Sequence, residues 1–251
     1  TATTGGITDS SNLSSSGDVT LNDVATAGIT LGTLEADANV IITAAGNTAI
    51  TNDAALALQG TVTGTLDATA TTGDITDSDA LAVSGASVFT LGADGSNITL
   101  DSAANAFSGA VTLKAGSSGS QTFGNITFVD SGAIDFAGSA SADGDLFMDG
   151  GTDNTVGGTL DVTATAGGIT DSATIAVTGD LTLNDVATTG ITLGNLEADA
   201  NVIITAAGNT AITNDAALAL QGTVTGTLDA TASAGGITDS SNLSASGDVT
   251  L

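Results

Sequence analysis

The sequence predicts an all-β protein, a parallel β-helix (β-solenoid) of about eleven coils, each of 21–26 residues and three short strands. The first observation is an internal copy: Leu34–Ala70 recurs letter for letter at Leu196–Ala232. Around it, Gly5–Ser78 matches Gly167–Ser240 without insertion or deletion. The second observation is a set of short phrases at regular spacing, and the third is a composition poor in helix-surface residues. A chain that copies itself is an array, so residues 1–251 are interpreted as a single repeat domain and as a slice of a longer array.

A phrase of the form Gly-x-apolar-x-apolar sets the predicted coil. In GDVTL at Gly17, Val19 and Leu21 share one side while Asp18 and Thr20 share the other. This period of two is the pattern of a half-buried strand. The lead apolar residues of the phrase follow one another at nearly regular intervals, which set the predicted coil length: Val19, Val40, Leu66, Val88, Val111, Ile134, Leu160, Leu181, Val202, Leu228 and Val249.

Two further phrases fall between successive Gly phrases. One centres on Ile, as in GGIT at Ile7 and AGIT at Ile29, and the other resembles LEADA at Leu34. Strands this short cannot bury an apolar side alone, but stacking pairs each strand with its equivalent in the next coil. At about 4.8 Å per strand the coils form a rod of roughly 50 Å. The longest coils are expected to hold an extra turn near ALQGTVTG.

The composition argues against helices and against two classes of partner. Lys114 is the only basic residue, the formal net charge is −27, and every acid is Asp except Glu35 and Glu197. Asp, Asn, Gly, Ser and Thr favour turns, whereas Lys, Glu and Arg favour helix surfaces. Nucleic acid and anionic membrane surfaces are not expected as partners because both are bound through Lys and Arg. No apolar run reaches membrane-spanning length and no signal peptide opens the chain, so targeting segments are expected elsewhere in a longer protein.

The spaced Gly-x-apolar-x-apolar and Gly-x-Ile-Thr phrases, in a chain rich in Asn, Asp, Gly, Ala and Thr, resemble the repeat regions of filamentous-haemagglutinin-type adhesins. These are large bacterial surface proteins of the two-partner secretion and autotransporter kind. The resemblance covers the whole chain and implies secretion, a right-handed parallel β-helix and a role in adhesion or biofilms. The secretion domain of that family is not visible in the sequence, and no functional residue of the family carries over.

Asp-rich turns offer hard oxygen ligands and are therefore candidate calcium sites. The candidate ligands lie in ITDSD, SADGD and FMDGGTD: Asp77, Asp79, Asp143, Asp145, Asp149 and Asp153. The nonapeptide of calcium-binding β-rolls and the EF-hand loop are both absent, and Asp at glycine-rich turns also serves turn geometry. The sequence therefore assigns no metal site and no cofactor, and calcium stays an open alternative.

No residue set predicts catalysis. Polysaccharide-active β-helices combine acid pairs with basic residues and aromatic platforms, whereas Lys114 is the only base in this chain. Asp143 and Asp145 are an acid pair that could serve glycosidase chemistry, with solvated turn carboxylates as the alternative. We expect the protein not to be an enzyme and assign no catalytic residue.

Three other features bear on binding or modification. TVTGT at Thr61–Thr65 could belong to a threonine ladder that orders water, although Thr-x-Thr does not recur in every coil. All six Phe fall within Val88–Met148, together with the candidate loop KAGSSGSQTFG at Lys114–Gly124. We expect the Phe side chains to fill the core. If any part of the chain has a specialised role, we expect it to be Val88–Met148. N-glycosylation sequons, which chance also produces in such a chain, lie at Asn12, Asn97, Asn125 and Asn242.

The sequence predicts a structural role as a stiff spacer in a large secreted bacterial cell-surface adhesin or extracellular fibre. Dense acidic turns would keep the lateral faces of the rod soluble. The expected partners are neighbouring repeats or identical chains end to end, and a host-cell or matrix surface. The alternative is an extracellular filament subunit that stacks through unpaired strands at its ends. A calcium-binding or polysaccharide-active β-helix ranks below both.

Overall fold

Alternating apolar and small polar residues form short strands along the chain. The computed structural model describes residues 1–116, 122–139, 145–150, 152–153 and 155–251, and these contain no helix. In chain order the strands are β1 (Ile7–Thr8), β2 (Leu13–Ser15), β3 (Val19–Asp23), β4 (Ile29–Ala36), β5 (Asn39–Ala44), β6 (Thr48–Asn52), β7 (Leu56–Val62), β8 (Leu66–Ala70), β9 (Ile75–Val83), β10 (Ser87–Leu91), β11 (Ile98–Leu100), β12 (Ala106–Phe107), β13 (Val111–Ala115), β14 (Ile126–Asp130), β15 (Ile134–Phe136), β16 (Asp145–Gly150), β17 (Thr152–Asp153), β18 (Thr155–Val156), β19 (Leu160–Ala164), β20 (Ile169–Asp171), β21 (Ile175–Val177), β22 (Leu181–Asp185), β23 (Ile191–Ala198), β24 (Asn201–Ala206), β25 (Thr210–Asn214), β26 (Leu218–Val224), β27 (Leu228–Ala232), β28 (Ile237–Ala245) and β29 (Val249–Thr250).

The strands belong to two sheets that enclose one apolar core, as the predicted β-solenoid requires. Face A is the 12-stranded sheet, in the order β3-β5-β7-β9-β11-β14-β19-β22-β24-β26-β28, with β12 beside β9. Face B contains the other 17 strands. Pairing within the described residues is parallel, apart from β16 with β17. The path along face A gives about eleven turns, which confirms the predicted fold class and number of coils.

The coil lengths vary more than the sequence predicted. Val40 pairs with Leu58, and not with Leu66, the lead residue of the next Gly phrase. Leu66 lies on face B, where it pairs with Thr48 and Ser87. Outside the middle coils, paired residues are 18–24 positions apart. The predicted range of 21–26 residues fits many coils but is too narrow for all of them. The Gly phrase forms strands on both faces, so equal phrases do not mark equal positions in the coil.

A regular coil also has two strands where three were predicted. In β4, Ile29 and Leu31 point inward, Gly32 and Thr33 are exposed, and Leu34 points inward again. The register shifts at this point, which is a β-bulge that joins two of the predicted segments into one strand. The predicted extra turn near ALQGTVTG is absent, because most of those residues extend β7 along face A. The handedness implied by the resemblance stays a prediction.

The interior consists of columns of apolar side chains, with one residue from each coil. One column on face B contains side chains that are at most 2% exposed: Leu31, Ile50, Ala68, Phe89, Leu113 and Met148. Ala68 lies directly between Ile50 and Phe89, so a small residue leaves room for the ring in the next coil. Volume is thus balanced along the column, which keeps the core closely packed.

Five of the six Phe fill the core, as predicted, and one does not. The buried five are Phe89, Phe107, Phe123, Phe128 and Phe136. The Phe107 ring lies 5.9 Å edge-on from Phe89 and 5.4 Å stacked from Phe128. Phe147 lies between buried Leu146 and Met148 and is only partly buried, so it points outward on face B.

A buried hydroxyl interrupts the column that contains Ile7 and Ile29. Thr48 occupies an inward position of face B, and its hydroxyl has no hydrogen-bond partner among the described residues. An unsatisfied buried hydroxyl costs free energy and Val has nearly the same shape, so Thr48→Val should raise the free energy of unfolding by about 1 kcal/mol in urea denaturation. Thr51→Val, on the outer side of the same strand, is the control and should change it by less than about 0.5 kcal/mol. A destabilised Thr48→Val variant would contradict the expectation.

Side-chain acceptors close the corners before the strands. Asp74 Oδ1 accepts the backbone N–H of Asn97 at 2.8 Å, one coil further on. Asn97 Oδ1 accepts that of Asn125 at 2.7 Å, and Asn125 Oδ1 accepts that of Thr159 at 2.9 Å. Each acceptor satisfies a corner N–H that the strands leave free, which explains why Asn and Asp recur directly before the strand phrases.

The coils lengthen between the two copies. Ile98 pairs with Ile126 and Ile126 pairs with Leu160, so register partners are further apart in sequence here than Val40 and Leu58 are. Residues 117–121 and 140–144 fall in these long connections, so the central part of the candidate loop Lys114–Gly124 lies outside the described residues. The stretch between the copies therefore departs from the regular coil, in the region that the sequence singled out.

Candidate functional site

A shallow polar groove lies at the β-bulge of β4, and an equivalent groove lies at β23 in the second copy. Each has a volume of about 200 Å³. Groove 1 is lined by Asn12, Gly32, Thr33, Leu34, Glu35, Thr51, Asp53 and Thr71, and groove 2 by Thr174, Gly194, Asn195, Leu196, Glu197, Thr213, Asp215 and Ser233. The only two Glu of the chain therefore occupy equivalent places on face B.

An aspartate from the preceding coil holds each bulge open. Asp9 accepts the backbone N–H of Gly32 at 3.0 Å and of Thr33 at 2.8 Å, and also the Thr33 hydroxyl at 2.9 Å. These bonds, the one from Gly32 first, lower the pKa of Asp9 below its ordinary value. Asp171 accepts the corresponding N–H groups of Gly194 and Asn195 at 2.8 and 2.6 Å. Asp9 and Asp171 thus act as structural acceptors.

The grooves offer hydrogen-bond acceptors and hydroxyls, without a nucleophile or a base paired to one. In groove 1 the Asn12 amide donates to Glu35 Oε1, while Asp53 and the hydroxyls of Thr51 and Thr71 complete the polar lining. Thr174 replaces Asn12 in groove 2. Within the part of the chain that the structure describes, no group of three or more His, Cys, Asp or Glu could hold a metal ion.

The first calcium candidates are engaged in backbone hydrogen bonds. Asp77 accepts the N–H groups of Asp101 and Ser102 at 3.1 and 3.0 Å, and the Asn105 amide at 2.6 Å. It therefore caps the turn that follows β11, as Asp9 caps the bulge of β4. Asp79 is exposed and accepts the N–H of Ala80 at 2.8 Å.

The remaining acidic candidates lie in or beside the long coils. Asp143, and with it the proposed Asp143–Asp145 pair, lies outside the described residues. Asp145 pairs in register with Asp135 on face B. Asp149 pairs with Lys114 across the sheet and, in antiparallel register, with Asp153. The sheet thus places the single cation of the chain beside a carboxylate.

The threonines that the sequence singled out are exposed, but a column of outward threonines forms in other strands. Thr61, Thr63 and Thr65 all face solvent, and the N–H of Thr65 donates to Asn47 Oδ1 at 3.0 Å. A threonine ladder does form on face A, one residue per strand, and it is interrupted by an aspartate: Thr76, Thr99, Thr127, Asp161 and Thr182. The ladder is too short and too narrow to make a regular water-ordering plane.

The folded chain uses three of the four sequon side chains for its own hydrogen bonds. Asn12 donates to Glu35, and Asn97 donates to Asp74 Oδ2 at 3.2 Å. Asn125 accepts the Thr159 N–H, as described above. Asn242 differs in that it adopts a left-handed conformation with φ of 42°. Glycan transfer to the folded rod would therefore first have to break a corner bond at Asn97.

Sequence reasoning missed Asp161, which the structure places in the middle of face A. Its neighbours in the adjacent coils are Thr127 and Thr182, and no described residue donates a hydrogen bond to its carboxylate. Partial burial raises the pKa of Asp161 above its ordinary value. Asp161 belongs to the phrase GTLDV, which resembles GTLDA, the phrase of Asp67. Asp67 lies exposed on face B, so the phrase alone could not show that Asp161 is partly buried on face A.

The raised pKa gives Asp161 a testable pH dependence. Folding favours its neutral form, so its contribution to stability is present below the unfolded-state pKa of about 3.9 and is lost as the pH rises through the folded-state pKa. We expect Asp161→Asn to be more stable than the natural chain at neutral pH, with the difference shrinking as the pH falls towards 4. Urea denaturation at several pH values measures this. Exposed Asp67→Asn is the control and should show no comparable trend, and an Asp161→Asn difference independent of pH would contradict the assignment.

Comparison with known proteins identifies a family but no individual relative. In the described residues, the structure has no apolar helix long enough to cross a membrane. No curated protein and no solved structure matches the chain. A family model described as repeats of unknown function (DUF5649) matches residues 45–114, 123–206 and 207–251, which together make up most of the chain. The chain therefore belongs to the DUF5649 family of repeats of unknown function.

Proposed function

We propose that the chain is a stiff structural spacer within a large secreted bacterial cell-surface adhesin or extracellular fibre. The observation that carries the proposal is the unbroken parallel pairing of face A from β3 to β28, over a single contiguous core. Every coil is bonded along its strands to the next, so bending the rod would require many backbone hydrogen bonds to lengthen together. Such an architecture supplies length rather than a reactive site.

The charge distribution and the repeat are consistent with this role. A net charge of −27 with one basic residue favours solubility and opposes non-specific association of neighbouring rods. The copy that begins at Leu196 repeats the one at Leu34 without insertion, so duplication adds whole coils and leaves the cross-section unchanged. Adding repeats therefore lengthens the spacer without redesigning its fold.

A lengthened chain tests the mechanical part of the proposal. The residue pair Val40 and Val202 is separated by seven strand pairings on face A. Inserting one more copy of residues 34–195 after residue 195 should therefore lengthen the rod from about 50 to about 85 Å in small-angle X-ray scattering. A maximum dimension that grows only as the cube root of the mass would overturn the spacer role. Long fibres formed by the unmodified chain in electron micrographs would favour the filament alternative instead.

The location is tested separately on cells. Antibodies raised against the folded chain should label intact cells of the source organism, and labelling should disappear when surface proteins are shaved with protease. Labelling that requires the cells to be permeabilised would overturn the extracellular assignment while leaving the rod geometry untouched.

A further inference from the structure

The two faces of the rod differ in charge. Among the described residues, face B presents outward carboxylates at seven positions: Glu35, Asp67, Asp135, Asp145, Asp149, Glu197 and Asp229. On face A, ten of the 12 strands carry a single outward carboxylate, Asp161, and the exceptions are β9 and β28. The other acids on those ten strands, Asp23, Asp130 and Asp185, are buried. A rod of high net charge thus has one broad face with little charge.

Face A also carries two apolar side chains at matching places. Ile41 and Ile203 lie at outward positions of β5 and β24 and are partly buried, while their neighbours along the strand, Ile42 and Ile204, are fully buried. The two outward Ile are seven strand pairings apart, or about 34 Å. Most of the surface between them consists of Thr, Asn, Gln and Ala side chains, which a flat neighbouring sheet could contact without burying charge; the outward carboxylates there are Asp161 and, on β9, Asp77 and Asp79.

We propose that face A docks face to face on face A of a second copy of this chain. Among the faces of a rod with a net charge of −27, this is the one on which close approach meets the least repulsion. Both copies repeat their outward side chains at the same spacing of about 4.8 Å, so the two surfaces can interdigitate along their length. The pairing is independent of the spacer role, since a rod could be stiff without pairing.

The area is sufficient for a stable dimer. Eleven stacked rows at about 4.8 Å, each about 17 Å long, present roughly 900 Å². Stable interfaces bury about 800 Å² per partner. Asp161 and the outward carboxylates of β9 and β28 oppose pairing. A second sheet would remove still more water from Asp161, which has only Thr127 and Thr182 as neighbours in register.

Matched charge substitutions test the proposal by sedimentation equilibrium of the full chain. The natural chain should reversibly dimerise, more strongly in about 0.5 M than in low salt because screening weakens the remaining repulsion. Thr182→Asp on face A should weaken the association constant at least about tenfold, and Asp161→Asn should strengthen it. Thr69→Asp adds the same charge to face B and should leave dimerisation unchanged. A chain that stays monomeric at all concentrations and salt levels, or equal weakening by both Asp variants, would overturn the proposal.

Engineered cysteines locate the interface directly, because the natural chain has none. The double variant Ile41→Cys/Ile203→Cys should form covalent dimers on mild oxidation, whether the two rods run parallel or antiparallel. Ala49→Cys/Ala211→Cys, with the same spacing on face B, is the matched control and should remain monomeric. Cross-linking by the face B pair alone would overturn the proposal, as would monomeric rods that instead bind an insoluble polysaccharide through face A.

Discussion

Replacing Gly60 with Ala should destabilise the rod more than almost any other single-methyl addition. Gly60 lies within β7 with φ of +117°, a conformation that side chains rarely adopt. A Cβ there would fall on the carbonyl oxygen of Ile42, its partner in the adjacent coil, with the Ile42 carbonyl carbon 2.9 Å away. Neither atom can move without breaking the pairing of β5 with β7. The strain and the clash together should lower the free energy of unfolding by about 3 kcal/mol or more.

Urea denaturation followed by far-ultraviolet circular dichroism measures the effect of Gly60→Ala. Gly17→Ala is the matched control, because nothing lies within 4 Å of a Cβ added there and its backbone lies outside the left-handed region. It should change the free energy of unfolding by less than about 0.5 kcal/mol. Gly222 repeats the geometry of Gly60 in the second copy, with φ of +117°, so Gly222→Ala should reproduce the loss. Equal effects of Gly60→Ala and Gly17→Ala on the free energy of unfolding would contradict the close approach of Gly60 to Ile42.

Side-chain direction could be predicted from the sequence because it depends on local alternation alone. GDVTL places Val19 and Leu21 on one side of a strand, and both are buried at the edge of the core. The number of coils followed from counting such phrases. The glycine at position 60 could not be interpreted in the same way, since its role depends on Ile42 in another coil.

The face on which a strand lies could not be predicted, because the same local sequence phrases occur on both faces. Ile7 and Ile75 open equivalent phrases, yet Ile7 lies on face B and Ile75 on face A. Three pairings on face B lead from Ile7 to Leu66, and the next strand crosses to face A. The offset from Ile7 to Ile75 therefore equals three and a half turns, so the same phrase occurs on both faces. The face that a strand occupies is decided only by the register of whole coils.

The same cause limited prediction of the candidate site. The grooves combine Glu35 with Asp53, and on face A Asp161 is the one outward carboxylate outside β9 and β28. Predicting either feature requires the face of every strand to be known. One signal was available, because Asp9 and Asp77 each follow an Ile-Thr pair and each caps a bulge or turn one coil later. If Ile-Thr-Asp had been interpreted as a phrase whose Asp caps backbone N–H groups, Asp77 would not have been a candidate calcium ligand.

Asn52→Leu should produce the second large loss of stability. Asn52 ends β6, is fully buried, and makes three hydrogen bonds. Its Oδ1 accepts the Ala36 N–H at 2.9 Å, and its Nδ2 donates to the carbonyls of Ala36 and Ala55 at 3.1 and 2.8 Å. Leu has a similar size but removes the partner of all three backbone groups, and the N–H and carbonyl of Ala36 are buried. The free energy of unfolding should therefore fall by about 3–5 kcal/mol.

Hydrogen exchange separates this mechanism from a general loss of packing. In Asn52→Leu the Ala36 amide should lose protection, while the Ala198 amide, which the equivalent Asn214 holds at 2.8 Å in the second copy, should keep it. Asn214→Leu should show the reverse pattern, and the two losses should add because the sites lie seven strand pairings apart. Asn47→Leu, which removes one exposed 3.0 Å bond to Thr65, should cost only about 1 kcal/mol. If Ala36 stayed protected in Asn52→Leu, the buried amide would not be what joins β4 to β6 at this corner.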